Sequence, residues 1–230
     1  MIKSFLIIAS LQIILYSSEQ IILVVSDNFN SSKAYLECYE DGEKIFDTKK
    51  VNIGTNGLGW GLGEVELTQK ASEPFKREGD KKAPAGVFKI TSVFGYAKQE
   101  NTNLPYLHTS NLICVDDVDS DFYNQIIPMP KKQPKSFEIM SRKDHQYELG
   151  IVVGHNQNGV KKSGSCIFIH VKKSKNASTA GCTAMSLEEL EEIVAWLDTS
   201  KNPILIQIPK SSSKEILKLY PELKSSKLLN

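Results

Sequence analysis

The sequence predicts a mostly β domain with a few helices. Its 230 residues suffice for one domain with its own core. Short apolar and β-branched runs recur along the chain, each bounded by turn-forming residues. One segment alone carries sustained helical spacing. No internal repeat or interdomain linker interrupts this pattern.

Residues 20–27 (QIILVVSD) form the first compact β-type run. Residues 34–40 and 43–54 flank Asp41-Gly42, a pair that accepts the positive φ angles of a two-residue hairpin turn. A glycine-rich loop is expected over 54–63, and a strand over 83–95 begins through Pro84 and Gly86. Residues 96–135 are polar and contain Pro105, Pro128, Pro130 and Pro134. That is long for a plain connection, so a lid or substrate wall is expected there. Residues 147–156 and 165–171 read as strands bounded by turn residues. The helix is expected over 186–198: Ser186 and Glu189 make a capping box, and Leu187, Leu190, Val194 and Leu197 form its buried stripe. Residues 202–209 give a last strand, and 210–230 read as a polar tail with a short helix at 214–220.

Lys+Arg 28 against Asp+Glu 27 leaves a net charge of +1. Such a balance supplies no field for nucleic acid or anionic lipid. The lysine pairs at 131–132, 161–162 and 172–173 read as solvated loop charges. The stretch from Gly57 to Gly63 lacks the Lys-Ser/Thr ending of a phosphate loop, so no nucleotide is expected. Residues 1–18 have the order of a secretory signal: Lys3, an apolar run from Phe5 to Tyr16, then Ser17 and Ser18. The run is short for a membrane span.

The four cysteines, Cys38, Cys114, Cys166 and Cys182, include no close CxxC pair, which excludes a zinc ribbon or a thioredoxin-like motif. The four histidines add no close ligand spacing, so no metal site is expected. Cys38 with Cys114 is one candidate bridge, and the pairing of Cys38, Cys114 and Cys166 stays open. Cys166 is expected on the strand of His170 and on its face, either touching the site or packing beside it. His108 and His145 fall in polar loops and read as solvated.

The chemistry concentrates in Thr179-Ala180-Gly181-Cys182, with His170 upstream. Thiol and imidazole are the common nucleophile and base for acyl transfer through a thioester. A free thiol is mostly protonated near neutral pH. His170 would take its proton or hold the thiolate as an ion pair. A glycine before the cysteine permits a sharp turn whose N–H groups face an oxyanion. Cys182 with Gly181 or Thr183 would supply those donors, and Thr179 would fix the turn.

This stretch resembles the L,D-transpeptidase (YkuD-like) catalytic domain, whose hallmark is a His followed by a loop and a Ser/Thr-x-Gly-Cys turn. A second segment, Gly79 to Ile90 (GDKKAPAGVFKI), is similar to the family's Gly-Asp-x-x-Thr-Pro-x-Gly-x-Phe/Tyr motif, with Ala83 where Thr is usual. Weaker matches are residues 54–63 and 115–124. The resemblance runs from about Gln20 to Pro209. It implies a β-sandwich domain over 20–209, no cofactor, peptidoglycan stem peptides as substrate, and secretion across the inner membrane into the periplasm or cell envelope. In such a domain a backbone carbonyl often orients the His. Trp60, Tyr123 and His155 enter as substrate-wall candidates.

The departures matter. The common motif carries an Arg two residues after the Cys; here that position is Ala184. An Arg can grip a carboxylate with two parallel hydrogen bonds and Ala cannot. The leading expectation is a secreted cysteine acyltransferase active in wall cross-linking or remodelling. Ala184 feeds an alternative, an L,D-carboxypeptidase or amidase-like hydrolase of the same stem peptides. A non-catalytic wall-binding module is the alternative of another class, and the intact Cys182–His170 pair argues against it.

Overall fold

The computed structural model describes residues 19–230. The leader expected at 1–18 lies outside the described residues. In chain order the strands are β1 (Gln20–Ser26), β2 (Lys33–Glu40), β3 (Glu43–Lys44), β4 (Lys49–Asn52), β5 (Leu58–Trp60), β6 (Ala83–Gly95), β7 (Tyr106–His108), β8 (Leu112–Cys114), β9 (Ile126–Pro128), β10 (Glu138–Ile139), β11 (Leu149–Val153), β12 (Phe168–Val171), β13 (Thr183–Met185) and β14 (Ile204–Pro209). Helix α1 (Leu187–Trp196) follows β13, and α2 (Ser213–Leu219) follows β14. The fold is mostly β with few helices, as the sequence predicts.

The main sheet runs β1-β14-β6-β11-β12-β13-β4-β2-β3, and β1 also pairs with β2. That extra pairing turns the sheet back on itself, so its halves face each other like the layers of a sandwich. β1 is thereby paired on both sides, parallel to β14 and antiparallel to β2. This suits its sequence, because every residue of β1 is buried. Asp41 and Gly42 take φ of +52° and +82° between β2 and β3, as the hairpin requires. The main core gathers Ile22, Leu36, Val51, Phe88, Ile151 and Ile206 from strands on both sides.

Helix α1 begins at its capping box, where the Ser186 N–H donates to Glu189 at 3.2 Å, and it buries Leu190, Ile193 and Val194. It follows β13 directly and so forms the far end of the segment that carries the Cys182 turn.

Two sequence expectations change and a third gains its detail. The glycine-rich loop contains β5, which pairs parallel with the start of β6, and a Cβ at Gly59 would meet the backbone N of Lys76 at 2.9 Å. The long segment after β6 is no plain loop: β8 pairs with β9 and β10 in a second, three-stranded sheet. Residues 210–230 pack into the body. Ile216 and Leu223 are fully buried, and Ser226 Oγ donates to Glu37 at 2.7 Å. Glu37 sits inside β2, and burial pushes its carboxyl up. Hydrogen bonds from Ser226, Tyr39, Lys44 and Thr48 outweigh that and hold it below its ordinary range.

The second sheet covers one face of the main sheet and makes a smaller core there. Phe94, Phe168, Tyr147 and Met140 pack in it together with Cys114, Cys166 and Cys182. Phe94, Tyr147 and Phe168 meet edge to face, with ring centroids 5.0–5.5 Å apart. The segment expected to form a lid or substrate wall thus supplies β8 and β9 of this small sheet, which packs with the cluster containing Cys182.

Candidate active site

Two parallel neighbours build the site. His170 lies on β12 in register with Ala184 of β13, and Cys182 immediately precedes β13. Side chains alternate along an extended chain. Cys182 and Ala184 therefore share the face that carries Phe168 and His170. β13 was not legible as a strand in sequence, because three residues give no periodicity. It decides the geometry all the same, because its parallel pairing sets the thiol beside the imidazole strand.

The turn before the cysteine is tightly specified. Gly181 has φ +150°, and a Cβ there would stand 3.0 Å from the Lys82 carbonyl oxygen. Thr179 Oγ1 donates to the Cys182 carbonyl at 2.6 Å and accepts the Gly181 N–H at 3.2 Å. Thr179 thus fixes the turn, as its position suggested. Gly181 does not serve as a free oxyanion donor, because its N–H is committed to Thr179. Thr183 turns its hydroxyl into the core, donating to Gln207 at 2.7 Å. The Cys182 N–H has no intramolecular acceptor among the described residues and remains available to an oxyanion.

The thiol rests between two backbone groups of the approach to β12. The Phe168 N–H donates to Cys182 Sγ at 3.4 Å, and Sγ donates to the Cys166 carbonyl at 3.5 Å. Only 8% of Cys182 is exposed, and burial pushes its thiol up to about 12. Half-buried Glu138 adds to this, and the Phe168 N–H opposes it. His170 is also buried, which moves it down to about 4. The resting pair is therefore neutral thiol and neutral imidazole. Of the two roles expected for His170, general base fits this state and a preformed ion pair does not.

The imidazole is oriented by main chain. His170 Nδ1 lies 2.9 Å from the Val171 carbonyl, which can only accept. Nδ1 therefore carries the proton, and Nε2 is left as an acceptor. The ring meets the edge of Tyr147 at 5.4 Å between centroids. Tyr147 donates its hydroxyl to Glu138, and the Arg142 guanidinium lies over the Tyr147 ring at 5.0 Å. Arg142 is itself paired with Asp144, with contacts of 3.0 and 2.6 Å. Burial raises the Glu138 carboxyl and favours its protonated form. Glu138, Arg142 and Tyr147 carry no spacing that would have revealed them. They come together because the lid sheet folds over β12.

The L,D-transpeptidase catalytic domain family, YkuD, matches residues 20–206. This chain belongs to that family. A solved structure similar to it is the helical cell shape determining protein Pgp2 (K307A mutant) from Campylobacter jejuni, with 16% identity and a TM-score of 0.40. The alignment covers 84% of this chain and 48% of that one, so the chain spans about half the length of that protein. No match was found among curated proteins.

Of the remaining residues expected at the site, His155 lines the cavity beside Cys166 and Phe168, and Trp60 and Tyr123 do not. Trp60 is 3% exposed, packs edge-on against Phe29 and donates its indole N–H to Glu73 at 2.8 Å. It is a core residue and not a substrate wall. His155 is buried too, accepting the Leu62 N–H at Nδ1 (3.2 Å), while Nε2 lies 2.9 Å from the Ser163 carbonyl. Burial lowers it to about 4, and it acts as a neutral brace. Tyr123 donates to Glu78 at 2.5 Å and accepts the Gly164 N–H at 3.1 Å. Ser165 donates to the same carboxylate at 2.7 Å. Tyr123 thereby locks the chain leading into β12. His108 and His145 are exposed, as expected, although His108 ends β7 and does not sit in a loop.

Cys166 departs most from expectation. It lies before β12, with φ +54°, and is joined to Cys114 in a disulfide. An unbroken strand would carry Cys166 on the face of His170. The left-handed residue breaks that alternation. Cys38 is free and buried, so it does not bridge to Cys114.

Proposed function

We propose that this chain is a cysteine acyltransferase acting on peptidoglycan stem peptides, with Cys182 as nucleophile and His170 as general base. The observation that carries the reading is the commitment of His170 Nδ1 to the Val171 carbonyl. It leaves Nε2 unprotonated on the face shared with the thiol. As Cys182 Sγ attacks the carbonyl carbon of the stem peptide, its proton passes to Nε2. The oxyanion is received by the Cys182 N–H. The leaving amine takes the proton back from His170, and a thioester remains. Family membership supports the substrate class. An amine acceptor then completes transfer, and the Cys114–Cys166 disulfide supports an oxidising compartment such as the periplasm or cell envelope.

Hydrolysis is the second reading. Ala184 stands in register with His170 and is 1% exposed, so that position offers no cation to hold an acceptor's carboxylate. Incubation of the purified protein with disaccharide tetrapeptides, followed by mass analysis, separates the two. Cross-linked dimers show transfer, and tripeptides with released D-Ala alone show hydrolysis. Unchanged tetrapeptides with the wild-type protein, or product formation by Cys182→Ala, would overturn the assignment.

A further inference from the structure

Cys166 stands where three constraints cross. Its sulfur is bonded to Cys114 at the end of β8, in the lid sheet. Its N–H donates to Asn124 Oδ1 at 2.9 Å, and Asn124 is itself anchored through Nδ2 to the carbonyls of His155 and Asn156 at 2.9 and 2.8 Å. Its carbonyl accepts the Cys182 S–H at 3.5 Å. The left-handed backbone at Cys166 is one that residues other than glycine adopt only when their surroundings impose it. Here those surroundings are the disulfide on one side and Asn124 on the other.

The disulfide also decides what reaches the thiol. A cavity of about 320 Å³ opens on the lid face, and Cys114, Cys166 and Phe168 line it, whereas Cys182 and His170 do not. The thiol contacts the Cys166 carbonyl and the Phe168 N–H, and it packs in one cluster with Cys114, Cys166 and Phe168. The two half-cystines and Phe168 therefore border both the open cavity and the nucleophile.

We propose that Cys166 is a positioning residue for Cys182: its disulfide to Cys114 holds the lid sheet closed over the thiol and fixes the carbonyl that keeps the S–H in place. The accessibility half of this proposal stands on geometry alone; the effect on turnover rests on Cys182 being the nucleophile. A dithiol reduces the bond in two exchange steps, leaving thiols at Cys114 and Cys166 and a cyclic disulfide in the reagent. The lid sheet then loses its covalent tie, and the Cys182 S–H loses a rigid acceptor.

The test compares the oxidised full-length protein, the same protein after dithiothreitol, and a Cys114→Ala/Cys166→Ala double variant. After removal of the reductant, iodoacetamide labelling of Cys182 is followed by mass spectrometry, with buried Cys38 in the same digest as the control for global unfolding. Labelling of Cys182 is expected to accelerate about tenfold or more in the reduced and double-variant proteins, with Cys38 unchanged. Reoxidation should restore slow labelling in the wild type and not in the variant. Turnover of a stem peptide should lose about tenfold in kcat with a smaller change in KM, as misplacement of the nucleophile predicts. If the double variant does not fold, the reduced wild type carries the comparison. Equal Cys182 labelling in the oxidised and reduced proteins would overturn the proposal. So would wild-type turnover that survives reduction unchanged. Accelerated labelling in a protein that never turns over a stem peptide would instead retain the clasp and sink the enzymatic reading.

Discussion

The resting state of the nucleophile yields the sharpest expectation. Burial sets the Cys182 thiol near 12, against an ordinary value of 9.0. At pH 8 that leaves roughly one thiolate in 10⁴, where an ordinary thiol has about one in ten. A more basic thiolate is also a better nucleophile. With a Brønsted slope of about 0.4–0.5, the difference returns roughly 15- to 30-fold. Cys182 should therefore react with iodoacetamide roughly 30- to 60-fold more slowly than an exposed thiol at pH 8, before any shielding by the lid. The logarithm of its rate should climb by one for each pH unit from pH 5 to 10, without a plateau. A preformed imidazolium–thiolate pair gives another curve, rising at acidic pH and then flat. The measurement is a pH series of labelling rates on the Cys182 peptide. A plateau beginning below pH 7, or labelling faster than a free thiol at pH 6, would refute the neutral-pair argument and restore the ion pair.

Three further outcomes follow from the same contacts. His155 and His170 are each held neutral at about 4, against an ordinary 6.5, so the unfolded chain binds their protons first as pH falls. Stability is therefore whole above 6.5 and drains between 6.5 and 4. Moving from pH 7.5 to 5 should cost about 2 kcal/mol for each histidine, read as a lower urea midpoint, and an unchanged midpoint would count against their neutral burial. Thr179→Val removes both turn hydrogen bonds and should cost about 1–3 kcal/mol of turn stability and lower kcat more than it raises KM, with Thr179→Ser retaining most of both. Equal kinetics for Val and Ser at that position would show that the hydroxyl is idle. Removing the Cys114–Cys166 bond opens a loop of sequence separation 52, and chain entropy then predicts a loss of about 4 kcal/mol in urea unfolding. A loss well under about 1 kcal/mol would mean that the lid sheet is held without it.

The sequence by itself determined those features that local chemistry dictates. Asp41-Gly42 can make only a narrow set of turns, Ser186 and Glu189 start a helix wherever an apolar stripe follows, and the run from Gln20 to Ser26 is too apolar to lie outside. Thr179, Gly181 and Cys182 were legible for the same reason, since their contacts are with each other. His170 was legible because its residue type and place in the motif pointed to a base. What the tertiary structure alone decided are the meetings between distant segments. The parallel pairings of β1 with β14 and β12 with β13 leave no local signal, because each strand is half of a ladder whose partner arrives from elsewhere. Strand alternation would place Cys166 beside His170, but a left-handed residue ends the period and a disulfide takes the sulfur to the lid. Trp60, Tyr123 and His155 are types that serve a binding wall or a core equally well; burial with satisfied hydrogen bonds places Trp60 and Tyr123 in the core, while His155, hydrogen-bonded too, lines the cavity beside Cys166. The protonation of the Cys182–His170 pair was decided last of all, by the lid that excludes water from both groups, and a residue's charge state follows its solvent as much as its identity.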